Sequence, residues 1–187
     1  MNLRGVVGAI SRAKCSRQSL CVLAFAVALG LTSTASAGHA AAVVSVPFKA
    51  VFSGQVTNAP GGRCPALTGT VQGSGVATMF GQFTNAQTHC LDPNGSDPLG
   101  LTDGSFTYTN TNGDTIFGAY SGRLEPTPTS SADNLYLLYG NFIVAGGTGA
   151  FAGASGGGAV SGWVNVATGD YGASDDGALS PPVAATP

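Results

Sequence analysis

The sequence predicts an all-β protein, a single small antiparallel barrel of about eight strands. Three observations predict it. After position 37, no run of ten or more residues carries the 3.6-residue apolar period of an amphipathic helix. Short alternating apolar runs recur instead, each broken by Gly, Asn, Asp or Pro. Glycine, 29 of 187 residues, falls inside those runs as well as between them, as sharply bent barrel strands require.

The first 37 residues read as an export signal. "MNLRGVVGAISRAKCSRQS" carries Arg4, Arg12, Lys14 and Arg17 and no acid. The apolar run "LCVLAFAVALGL" follows, then "TSTASA", with Ala35 and Ala37 in a small-x-small arrangement. The apolar run is shorter than the about 20 residues a membrane span needs. Cleavage is expected after Ala37, with Ala40 a later alternative. The expected organisation is a signal peptide over 1–37, a barrel domain over 38–180 and a disordered tail over 181–187. An extracellular or periplasmic protein with no membrane span after processing would result.

The strands follow in order. "VSVPFKAVFSGQVT" (44–57) is the first, and "NAPGGRCP" a loop. "ALTGTVQG" and "GVATMFGQFTNAQTH" are two more, or one long bent strand with Gly73 and Gly75 at the corner. "CLDPNGSDPLGLTDG" reads as a polar loop, since Pro93 and Pro98 oppose strand continuity. In "SFTYTNTNGDTIFGAYSGRL" two β-rich runs flank Asn112-Gly113, a dipeptide that supplies positive φ in a tight hairpin. "EPTPTSSADN" is a loop. "LYLLYGNFIVAG" is the most apolar strand, and both its alternating sets are apolar: Leu135, Leu137, Tyr139 and Ile143 on one, Tyr136, Leu138, Phe142 and Val144 on the other. A strand with one wet face does not look like this. Its outer face is therefore expected to be a subunit interface or to be covered by a terminal segment. "GAVSGWVNV", a turn at "ATGD" and "YGASDDGAL" complete the set.

Charge and cysteine usage narrow the function. Beyond residue 37 the basic residues are Lys49, Arg63 and Arg123 against nine acids, so 3 − 9 leaves −6. That balance excludes a basic nucleic-acid footprint and attraction to anionic lipid. Cys64 and Cys90 are the two cysteines left in an exported chain, which predicts one disulfide. His89 beside Cys90 raises the alternative of a thiol or metal site. Adjacent strand residues point to opposite faces, however, and a four-ligand zinc site needs more partners. No metal and no cofactor are implied.

"AGGTGAFAGASGGG" (145–158) contains G-x-G-x-x-A as Gly147, Gly149 and Ala152, with Asp170 about twenty residues on. A dinucleotide turn must open a helix within a βαβ unit. The Gly- and Ser-rich residues that follow form helices poorly, so the nucleotide reading fails. "IVAGGTGAFAGASGGGAVSG" instead resembles the G-G-T/S-G-x-F-x-x-A-x-G signature of the allene oxide cyclase and dirigent proteins. Gly146, Gly147, Thr148, Gly149, Phe151, Ala154 and Gly156 match it. "ATMFGQFT" (77–84) and "VNVATG" (164–169) are similar to motifs of small secreted bacterial proteins with such barrels. The resemblance implies an eight-stranded, calycin-like antiparallel barrel with a cavity at one end, often assembled as a homodimer or homotrimer. It assigns no catalytic residue, because the catalytic positions of the plant members have no matching motif.

The remaining candidates are few. Arg123 and Glu125 lie two apart on one strand face, where an inward pair could hold a polar ligand head. With Tyr136 they are the ligand-binding candidates, and solvent exposure is the alternative for the charged pair. Asp175 and Asp176, with Asp170 nearby, suggest calcium or a solvated acidic turn; they lack a repeated oxygen-ligand pattern, which favours the turn. His89 lacks the G-x-S-x-G elbow of a hydrolase. The expected function is non-catalytic binding of a small apolar ligand in the barrel mouth. The alternatives are an isomerase or cyclase acting on such a ligand, and a structural or surface-interaction protein with a filled barrel.

Overall fold

The computed structural model describes residues 45–92 and 99–180. The expected signal peptide and its cleavage sites, Pro93, Pro98 and the 181–187 tail lie outside the described residues. Eight strands form one closed antiparallel barrel in sequence order. They are β1 (Val46–Pro60), β2 (Leu67–Ala77), β3 (Gly81–Asp92), β4 (Gly100–Asn110), β5 (Thr115–Pro126), β6 (Leu135–Gly147), β7 (Gly156–Asn165) and β8 (Asp170–Leu179). β8 returns to pair with β1, from Val46 opposite Leu179 to Gln55 opposite Asp170. Among the described residues no helix is long and apolar enough to cross a membrane.

Period-2 alternation sorts each strand into a lumen side and a solvent side. In β1, Phe48, Ala50 and Phe52 are buried between exposed Lys49, Val51 and Ser53. In β6, Phe142 and Val144 face the lumen while Leu137, Tyr139 and Ile143 are exposed on the outer wall. The two apolar sets of this strand thus occupy the two sides of the barrel wall.

Two boundaries differ from expectation. β2 and β3 are separate strands, and the break is at Thr78–Phe80, not at Gly73 and Gly75. Those two glycines lie within β2, where a Cβ on Gly73 would reach the Tyr171 hydroxyl and one on Gly75 would meet Phe52. They are small because large neighbours lie over them. The 90–104 segment is also less of a loop than its prolines suggest. β3 continues to Asp92, and β4 starts at Gly100 and buries Leu101.

The 111–114 hairpin forms as predicted, with a different residue in control. Gly113 takes φ +86°, whereas Asn112 does not have positive φ. The Asn110 side-chain oxygen accepts from the N–H groups of Asn112 and Asp114, 2.9 Å each, and closes the turn. The loop before β6 contains one short helix, Ser130–Asp133.

The glycine stretch stoppers one end of the barrel. A 3-10 turn at Gly149–Phe151 drives Phe151 inward, with its ring 4.8 Å from that of Phe80. Gly149 sits at φ +58°, and a Cβ there would collide with the Asp114 carboxylate. Phe48, Phe83, Ile116, Val144 and Leu179 fill the rest of this end and are almost wholly buried.

Cys64 and Cys90 form a disulfide with Cα atoms 5.3 Å apart. It fastens the β1–β2 loop to β3 and closes 26 residues. In the chain-entropy treatment such a loop stabilises by roughly 3.5 kcal/mol. Replacing both cysteines by alanine is expected to lower the unfolding free energy by about that amount. Denaturant midpoints of the variant and of the oxidised parent check it, and equal midpoints would refute it.

Candidate functional site

The end of the barrel opposite Phe151 is open. It holds a cavity of about 490 Å³, walled by Val56, Val71, Leu101, Leu124, Leu138 and Val164 and floored by aromatic rings. Phe106 and Tyr108 meet at a tilt, 4.9 Å apart, and Tyr108 stacks on Phe83 at 4.5 Å, so the floor of the cup rests on the stopper. A broader depression on the outer wall, by Val51, Val76 and Trp163, is shallow and open to solvent.

Besides Asn58, Gln87 and Thr168 in its lining, the cup has three hydrogen-bonded pairs at its wall and floor. His89, 6 % exposed, shares a 2.6 Å hydrogen bond between Nδ1 and the Tyr120 hydroxyl. The Tyr108 hydroxyl donates to Asp175 Oδ2 at 2.9 Å, and Asp175 is 3 % exposed. Asn85 Nδ2 donates to the Tyr171 hydroxyl at 2.8 Å, so the Tyr171 proton is directed elsewhere. Asn85 Oδ1 is buried with no hydrogen-bond partner.

The backbone makes deliberate room for the first pair. A Cβ on Gly69, opposite His89 on β2, would collide with His89 Nε2. A Cβ on Gly104, opposite Tyr120 on β5, would lie 2.7 Å from Tyr120 Cδ1. β4 reaches that register through an irregularity between Leu101 and Gly104, with Asp103 at φ +50°. Arg63, next to the disulfide, donates from Nη2 to the Asp103 carbonyl and so braces the bulge. The His–Tyr pair thus depends on two absent side chains, one bulge and one tethered arginine.

Burial sets the protonation states. It lowers the His89 pKa to about 4, helped by the charge of Arg63, so the imidazole is neutral at pH 7. It raises the Asp175 pKa to about 7 against the pull of the Tyr108 hydrogen bond. Tyr171 rises to about 12, and Tyr120 and Tyr108 also rise, all chiefly through burial. A neutral imidazole, three protonated phenols and one titrating carboxyl therefore share the lumen.

The structure places the predicted residues as follows. Tyr136 lines the cavity. Arg123 and Glu125 do not: they form a 2.6 Å ion pair with both side chains about half exposed on the outer wall. Their strand alternates with inward Leu124, which points its neighbours outward. Gly146, Gly147, Gly149, Phe151 and Gly156 lie at the stoppered end and hold no ligand position. Asp175 is not part of a solvated turn. It is an inward residue of β8, in step with Tyr171, Ala173 and Leu179, while Asp176 points out to Lys49 at 2.6 Å. Among the described residues no cluster of three or more His, Cys, Asp or Glu is placed to hold a metal ion. His89 and Asp175 are functional candidates that sequence reasoning weighed for other chemistry and set aside, and Tyr108 and Tyr120 are ones it did not consider. Parity was their signal: His89 is in step with Phe83, Asn85 and Leu91, and Cys90 is out of step with them.

No family model, curated protein or solved structure matches this chain.

Two outcomes are expected. Asp175 binds its proton more tightly when folded, so its contribution to stability is present at pH 4 and is lost as pH rises towards 7. Asp175→Asn should therefore gain stability relative to the parent between pH 4.5 and 8, by up to roughly 4 kcal/mol for a shift of this size. Paired thermal melts at the two pH values check it; a pH-independent difference would contradict it. Gly69→Ala should destabilise the barrel, and adding His89→Ala should recover part of the loss. A double-mutant cycle is expected to give a coupling of about 1–3 kcal/mol, and additive effects would show that the two sites do not share space.

Proposed function

We propose that this chain is an exported barrel protein that binds a small, mainly apolar molecule in the open end of its lumen. One observation carries the reading: the barrel is stoppered at one end and hollow at the other. The hollow, at about 490 Å³, is within the roughly 300–1,000 Å³ typical of small-molecule sites. Its walls are aliphatic and aromatic, and its polar groups converge on the floor from β3, β4, β5 and β8. A barrel serving only as a scaffold has no need of a buried, internally bonded imidazole and carboxyl in its lumen. The likeness of residues 145–156 to the allene oxide cyclase and dirigent proteins agrees with a barrel that is open at one end. The apolar outer face of β6, with Ile143 65 % exposed, supports a homodimer or homotrimer built on that wall.

The two bonded pairs, His89–Tyr120 and Tyr108–Asp175, favour a second reading, an isomerase or cyclase that moves a proton on the bound molecule. Under it, Tyr120→Phe would leave binding intact and stop conversion of the ligand. Chromatography of ligand recovered from the complex separates the two readings.

The binding reading is tested with N-phenyl-1-naphthylamine, a neutral fluorophore that brightens in apolar surroundings. A saturable, one-to-one rise in emission is expected. Val164→Trp, which places an indole in the cavity, should abolish it while leaving the melting curve cooperative. A rise that survives the substitution would place the probe elsewhere and overturn the reading.

A further inference from the structure

Among the described residues, the carboxyl of Asp175 has no counter-charge. Lys49 pairs with Asp176 on the outer wall, Arg123 with Glu125, and Arg63 reaches the Asp103 carbonyl beside the rim. The hydrogen bond from Tyr108 is the contact that steadies the Asp175 side chain. A buried carboxyl is costly unless it is neutralised by a proton or by a cation. The groups sharing its part of the lumen cannot supply that cation. Tyr108 on β4, Tyr120 on β5 and Tyr171 on β8 are neutral phenols, and His89 on β3 is held neutral. β1, β2, β6 and β7 contribute Phe52, Val71, Phe142 and Val160, none of which titrates, and Tyr136 on β6, a phenol that carries no positive charge in either protonation state.

What surrounds the carboxyl is suited to a cation from outside. Phe52, Phe106, Tyr108 and Tyr171 all line the cavity, and ring faces attract cations. Phe52 lies 5.5 Å from Tyr108 and 6.2 Å from Tyr171, so the three rings form one wall. Beyond residue 37 the chain carries nine acids against three bases, which favours the approach of a cation.

We propose that the cavity takes a lipophilic amine, its ammonium group set against Asp175 and the aromatic wall and its apolar body against the aliphatic rim. This rests on the reading of the open end as a ligand site and adds the chemical class. It also fixes a sign. Binding an ammonium requires the carboxylate, so affinity should climb as pH rises from 5.5 to 8, towards about tenfold per unit below the point where Asp175 ionises. A neutral ligand that accepts a hydrogen bond from the protonated carboxyl would behave in the opposite way.

The test uses three probes of nearly one shape: 2-phenylethylamine, 2-phenylethanol and 3-phenylpropanoate, titrated calorimetrically into the wild-type protein at pH 5.5 and 8. At pH 8 the amine should bind at least about tenfold more tightly than the alcohol, as a charge-assisted hydrogen bond to a buried partner provides. The carboxylate should bind most weakly. Asp175→Asn should bring the amine to the alcohol's affinity and leave the alcohol unchanged, which also reports that the cavity is still formed. If the alcohol or the carboxylate equals the amine, the amine proposal is overturned while the apolar cavity stands. If none of the three binds and N-phenyl-1-naphthylamine does not bind either, the ligand-site reading falls and takes the proposal with it.

Discussion

Space inside the lumen is the constraint on which the rest of this structure depends. Eight strands closed into a barrel point half their side chains at one another across a narrow interior. No choice of side chains lets every inward position be large. The sequence resolves this by setting a large residue over an absent one, on the neighbouring strand or, for Tyr171 and Gly73, on the strand beyond it. Tyr171 lies over Gly73, His89 over Gly69 and Tyr120 over Gly104. At the stoppered end, where Phe80 meets Phe83 and Phe151 and Phe48 is buried, large residues prevail. At the other end, the glycines and the slender aliphatic residues leave a hollow.

That division also explains where polar groups can be buried. The phenols extend from the wall on rigid rings, so their hydroxyls reach the middle of the lumen without bringing backbone with them. Each then meets a partner from a distant strand: Tyr108 with Asp175, 67 residues away, and Asn85 with Tyr171, 86 residues away. These bonds tie opposite walls together. A lumen held by packing alone tolerates shifts in register; one crossed by such bonds does not, because buried polar atoms are costly to leave unpaired. The cavity floor is thus fixed in shape before any ligand arrives.

The fold was legible in the sequence because its signals are local. The Asn112-Gly113 turn, the inward set Phe48, Ala50 and Phe52, and the double apolar character of residues 135–144 are all read within a few positions of one another. The site was less so. Arg123 and Glu125 attracted attention as a charged pair, yet parity with Leu124 put them outside. Asp175 was hidden by Asp176 and by a turn-like composition, although Tyr171, Ala173 and Leu179 share its parity. Gly73 and Gly75 looked like a corner because glycine marks both bends and crowding, and only the partner strand tells which. Crowding is a tertiary fact, and single-chain reading has no access to it.

The seam between β1 and β8 has a consequence for how this barrel comes into being. Every other seam joins strands adjacent in sequence; this one sets Val46 beside Leu179. A chain that zips up one hairpin after another reaches an open, curled sheet with two bare edges before it reaches a barrel. The loop-closure entropy of the whole domain is then met in a single late step. Until that step the edges of β1 and β8 offer unpaired amides and carbonyls to any other strand nearby. The lumen does not yet exist either, so the polar residues destined for it are still in water. Closure therefore does three things at once: it removes the edges, creates the cavity and first buries Asp175.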